Sequence, residues 1–81
     1  MNPHDARSTV ADALTEIVPD ADVDAFPADA PLREELELDS LDFLTFVELL
    51  SSRAQVRIDE LDYPRLATLD SSVAFLVERC A

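Results

Sequence analysis

Three stretches of this chain repeat apolar residues at intervals of three and four, the spacing that gathers side chains on one side of an α-helix. In the first, between Asp5 and Val18, the stripe is Val10, Ala13, Leu14, Ile17 and Val18, and Pro19 ends it because proline has no amide hydrogen to give a helix. The second opens at Ser40, with Asp39 as N-cap and Asp42 in the first turn favouring the positive end of the helix dipole, and runs to about Arg53. Stepping by ~100° per residue puts Phe43, Phe46, Val47 and Leu50 on its core side, with Thr45, Glu48 and Ser52 opposite. Leu41 falls among the polar positions, either as a partner contact beside the serine or as a cover for the loop near Leu36 and Leu38. The third follows Thr68, a good N-cap, and aligns Leu69, Val73, Leu76, Val77 and Cys80.

Between the first two stripes, Pro19 to Asp39 reads as a long loop holding Pro19, Pro27 and Pro31. Its apolar residues Val23, Phe26, Leu32, Leu36 and Leu38 serve as anchors to the core, with one helical turn around Leu32 to Leu36. A second loop runs from Ala54 to about Leu61, followed by a short turn of helix at Asp62 to Leu66. Together these segments predict an all-α fold, a small bundle of three to four helices forming one domain over residues 1–81.

The chain is 48% hydrophobic and 30% charged, a globular composition, with no apolar run long enough to span a bilayer. Its formal charge of -12 repels phosphate backbones and anionic membrane surfaces, which argues against nucleic acid as a partner and against stable membrane insertion. A monomer is expected. The segment Met1-Asn2-Pro3-His4-Asp5 has neither the basic nor the apolar part of a secretion signal, so the expected location is the cytoplasm. The single cysteine, Cys80, ends an apolar stripe and is expected to pack as a small hydrophobe.

Catalysis finds little support in these residues. A nucleophilic serine requires a general base, and the one histidine, His4, falls in what reads as a frayed N-terminus. Without glycine the chain has neither a nucleophile elbow nor a phosphate-cradling loop. Asp20-Ala21-Asp22-Val23-Asp24 imitates the start of a calcium loop, but Ala25 stands where the turn requires glycine and Pro31 where a bidentate glutamate belongs. No catalytic residue and no metal site is therefore expected.

What remains is Ser40 as an attachment point. A phosphodiester there would meet the exposed amides and positive dipole end of a helix, while Asp39 and Asp42 would oppose its charge and send the attached group into solvent. The segment Glu35-Leu36-Glu37-Leu38-Asp39-Ser40-Leu41-Asp42-Phe43-Leu44 resembles the acyl carrier protein family, and Tyr63-Pro64-Arg65-Leu66-Ala67-Thr68-Leu69 resembles that family's short third helix and the start of its last. The resemblance covers essentially the whole chain. It implies that a phosphopantetheinyl transferase moves 4'-phosphopantetheine from coenzyme A to Ser40, with Asp39 recognised by the transferase. It further implies that the terminal thiol holds acyl groups as thioesters, and that Leu41, Asp42 and Glu48 contact acyl-loading and acyl-processing enzymes.

Two departures from the family pattern bear on this. Glu37 stands where glycine is common, which predicts a different turn into the second main helix because glutamate does not easily take a left-handed backbone. Thr45, Ser51 and Ser52 replace acidic or larger residues, favouring a dedicated freestanding carrier for a specialised pathway over one in bulk fatty acid synthesis; fatty acid, polyketide or other specialised acyl metabolism is the expected setting. Two other readings stay open: an aminoacyl or peptidyl carrier, and an unmodified acidic helical adaptor in which Ser40 only begins a helix.

Overall fold

Asn2 opens the first helix by accepting a hydrogen bond from the Asp5 amide at 2.8 Å, and Pro3 sits in the first turn, where no amide donor is missed. In this computed structural model, which describes residues 1–25 and 27–80, helix α1 spans Pro3–Ile17. It starts two residues before the expected Asp5 because Asn2 supplies the cap, so His4 lies in an exposed helical turn and not in a frayed terminus. It ends one residue before Val18, whose amide still donates to the Leu14 carbonyl at 2.8 Å.

Helix α2 is the short turn Leu32–Glu35, and α3 spans Ser40–Ala54. Gln55 closes α3 in the left-handed region at φ 54, satisfying the Ser51 carbonyl in the manner of a C-terminal cap. A 3₁₀ helix covers Glu60–Leu66 and α4 covers Leu69–Arg79. The 3₁₀ helix begins at Glu60 and not at the expected Asp62, because the Asp62 carboxylate reaches back to accept from the Asp59 amide at 3.0 Å and pulls the preceding residues into the turn. Thr68 caps α4 as its sequence predicts, accepting from the Ser71 amide at 3.0 Å.

Helix α1 packs against both α3 and α4, and the 3₁₀ helix packs on α4. Ala6, Val10, Ala13 and Leu14 of α1 meet Phe43, Phe46, Val47 and Leu50 of α3, the four residues that the helical spacing assigns to the core. The face of α4 differs from the expected stripe. Leu69, Ser72, Phe75 and Leu76 are buried, while Val73, Val77 and Cys80 are half-buried at its edge. Ser72 enters the core because its hydroxyl donates to the Thr68 carbonyl at 2.7 Å, leaving no unpaired polar atom. The Phe75 ring turns inward between the Arg65 and Arg79 guanidiniums.

The segment between α1 and α3 is held as its apolar anchors suggest: Val23, Leu32 and Leu38 are buried and Leu36 is half-buried, with Phe26 outside the described residues. Hydrogen bonds from the Leu32 amide to the Ala67 carbonyl (2.8 Å) and from the Asp70 amide to the Ala28 carbonyl (3.0 Å) tie it to the start of α4. Pro31 and Thr68 form a single bridge at the same place.

Candidate functional site

The start of α3 is a reciprocal cap. Asp39 accepts from the Asp42 amide at 2.8 Å, and the Asp42 carboxylate accepts from the Asp39 amide at 3.4 Å. Each carboxylate gives one oxygen to the backbone, and neither forms a hydrogen bond with the neighbouring serine hydroxyl. Ser40 occupies the first helical position with an exposed side chain, and among the described residues its hydroxyl makes no hydrogen bond. An exposed hydroxyl on a rigid helix start with no base beside it suits modification by another protein, not catalysis.

The turn before it corrects one expectation. Glu37 does take a positive φ, at 54°, where a different turn was expected because the residue is not glycine. Leu38 on one side is buried, and its amide bonds the Arg33 carbonyl at 2.9 Å. With Leu38 packed and the α2 end closed, the chain can reach Asp39 only through a left-handed residue, and glutamate takes that conformation at a cost of about 1–2 kcal/mol.

Ser40 lies on the rim of an open cleft of about 430 Å³ between α3 and the 3₁₀ helix, lined also by Arg33, Phe43, Leu44, Tyr63, Pro64 and Ala67. Phe43 and Tyr63 meet edge-on across its floor, with ring centres 5.5 Å apart. The Arg33 guanidinium lies over the Phe43 ring at 5.4 Å, so the cleft carries an apolar floor with one cation beside the serine. Its far wall is braced from behind: Arg79 donates to both Asp62 oxygens, at 3.0 and 3.3 Å, and this pairing holds the Asp62 carboxyl below its ordinary value of 3.8.

Leu41 is 74% exposed, which excludes its use as a cover for Leu36 and Leu38. It shares the outer face of α3 with Leu44 (42% exposed), Thr45 and Glu48, at helical intervals of three and four. Asp39, Ser40, Leu41 and Asp42 thus come together at one helix end, while Glu48 lies about two turns along the same outer face. The sequence reading passed over Arg33, Leu44 and Leu61, the last 93% exposed on the 3₁₀ helix. Leu44 could have been found from its three-residue spacing to Leu41; nothing local marks Arg33.

The calcium-like stretch is used otherwise. Asp24 pairs with Arg7 at 2.6 Å, and among the described residues no group of three acidic, histidine or cysteine side chains is arranged around a common point.

Residues 7–76 match the family described as Phosphopantetheine attachment site. The chain belongs to that family. Its domains carry 4'-phosphopantetheine covalently on a serine, and the small all-α fold described above is of the acyl carrier type. No curated protein and no solved structure matches the chain. The residues fit the group: a phosphopantetheine carrier requires an accessible hydroxyl on a firm support, and the capped first turn of α3 supplies one beside a cleft with an arginine on its edge. Carrier domains of this kind are generally not catalysts themselves; they are served by a phosphopantetheinyl transferase and by acyl-handling enzymes.

Proposed function

We propose that Ser40 is the attachment residue and that the chain is an acyl carrier domain working in the cytoplasm, tethering acyl intermediates for fatty acid, polyketide or other specialised acyl metabolism. The exposed Ser40 hydroxyl at the capped start of α3 carries this reading. In the loading step the Ser40 oxygen forms a bond to the pantetheine-bearing phosphorus of coenzyme A. The phosphoanhydride bond breaks, 3',5'-ADP leaves, and the serine proton passes to a base of the transferase, since among the described residues no side chain of this chain forms a hydrogen bond with the Ser40 hydroxyl. When bound, the arm supplies a thiol for thioesters, a chemistry for which half-buried Cys80 is poorly placed.

The chain's own part is presentation. The capping box fixes the direction of Ser40, Asp39 marks it for the transferase, and exposed Leu41 and Glu48, with half-buried Asp42 between them in the chain, form the side where a partner would approach. The charge of -12 steers such encounters toward basic patches and keeps them brief. The test is to incubate the protein with a broad-specificity phosphopantetheinyl transferase and coenzyme A and read intact mass. One added arm in the wild type and none in Ser40→Ala is expected; no arm with several transferases would overturn the reading. Offering the holo protein to acyl- and amino-acid-activating enzymes then separates an acyl carrier from an aminoacyl or peptidyl carrier.

A further inference from the structure

The positive side chains of this acidic protein are six arginines, and five of them are spent on carboxylates: Arg7 on Asp24, Arg53 on Glu16, Arg57 on Asp59, Arg65 on Glu78 and Arg79 on Asp62. Among the described residues Arg33 forms no ion pair, although Glu34 and Glu35 follow it directly. It is also the one arginine that lines the cleft on which Ser40 sits. Its backbone is fixed by the bond from the Leu38 amide, and its guanidinium rests on the Phe43 ring at 5.4 Å.

We propose that Arg33 is the anchor for the phosphodiester joining Ser40 to the arm, a contact that turns the proximal arm over the cleft instead of out into solvent. The proposal rests on Ser40 being the attachment residue. A phosphodiester presents two non-bridging oxygens sharing one negative charge, and the planar guanidinium fork can pair with both. Because the group is tethered to a neighbour on the same rim, Arg33 would meet it at high effective concentration, so an exposed contact too weak for a free ligand suffices. The opposite side repels: Asp39 and Asp42, each with one oxygen accepting an amide, present negative charge beside Ser40, so nothing there competes for the phosphate. Past the arginine, Phe43, Leu44, Tyr63, Pro64 and Ala67 offer the arm a largely apolar surface that is open to water until the arm covers it.

The experiment compares holo wild type, holo Arg33→Gln and holo Arg33→Lys, each first checked by intact mass for its arm. Phosphorus-31 relaxation of the single phosphodiester then reports whether it tumbles with the protein or independently. In wild type at low salt the phosphorus should relax at the rate of the whole molecule. In Arg33→Gln its local motion should free it, changing the relaxation rate by about twofold or more, with Arg33→Lys between the two because it keeps the charge but not the fork. Raising the salt should move wild type toward Arg33→Gln. Identical phosphorus relaxation in wild type and Arg33→Gln would overturn the role of Arg33 while leaving Ser40 as the attachment site. Failure of the arm to appear in any of the three proteins would overturn both.

Discussion

The two faces of α3 were built for different ends. The inner face buries Phe43, Phe46, Val47 and Leu50 against α1 and the rest of the core, whereas the outer face leaves Leu41 and Leu44 in water beside Thr45 and Glu48. Burying a leucine is worth about 1.5–3 kcal/mol, and the outer face forgoes most of that in the isolated protein. The difference separates two uses of a single helix: inner residues hold Ser40 in place, whereas outer residues add little to the stability of the isolated protein and, in the function proposed above, are where a partner would dock. Phe43 belongs to both sides, since its ring is part of the core and also floors the cleft below Ser40.

The largest test of that division is Phe46→Ala. With Phe46 fully buried, its loss should cost about 3–5 kcal/mol in chemical denaturation; a loss below 1 kcal/mol would mean that the inner face is not what holds the helix. A smaller effect is expected from Asp62→Asn, which weakens the brace behind the 3₁₀ wall of the cleft. The Asp62 carboxyl is held below 3.8 by its hydrogen bond from Arg79, then by that from the Asp59 amide. Its contribution is therefore fully present above pH 3.8 and lost as the pH falls through the lower folded value. The stability gap between wild type and Asp62→Asn should be widest near neutral pH and close in acid; a gap that widens in acid would contradict the pairing.

Glu37→Gly sharpens the comparison from the turn that feeds α3. Relieving the left-handed glutamate at φ 54 outweighs the extra freedom of glycine in the unfolded chain, so a gain of about 0.5–1 kcal/mol is expected. A loss would mean that the glutamate side chain holds the turn. Leu41→Ala should move stability by no more than about 0.5 kcal/mol. Its effect should appear in transferase kinetics, as a KM for the carrier raised by up to about tenfold, equivalent to about 1.4 kcal/mol of lost contact. If Leu41→Ala destabilised the protein more than Phe46→Ala did, the faces would be assigned the wrong way round.

Much of this was legible in the sequence where the determinants are local. The α3 core face follows from the turn angle of a helix alone, and Asp39 as N-cap follows from residue type and position, whereas the return bond from the Asp39 amide to Asp42, read in the sequence only as a charge near the helix dipole, came from the structure. The α4 face was misjudged because counting apolar residues passes over Ser72, which is buried at no cost once it bonds its own helix, and undervalues Phe75, whose ring is flanked by arginines from two elements. The start of the 3₁₀ helix was missed by two residues because a side chain three positions ahead sets it. Arg33 was invisible for a different reason. An arginine without a carboxylate is defined by where all the others find theirs, and partners such as Arg53 and Glu16 or Arg7 and Asp24 lie far apart in the chain.

The central claim is that the outward, base-free serine at the start of α3 is a handle. After treatment with transferase and coenzyme A, proteolysis and tandem mass spectrometry can assign the added group among the six serines of the chain. The arm is expected on the peptide containing Leu38-Asp39-Ser40-Leu41, with fragment ions placing it on Ser40. An arm on any other residue, or one that persists in Ser40→Ala, would contradict the account.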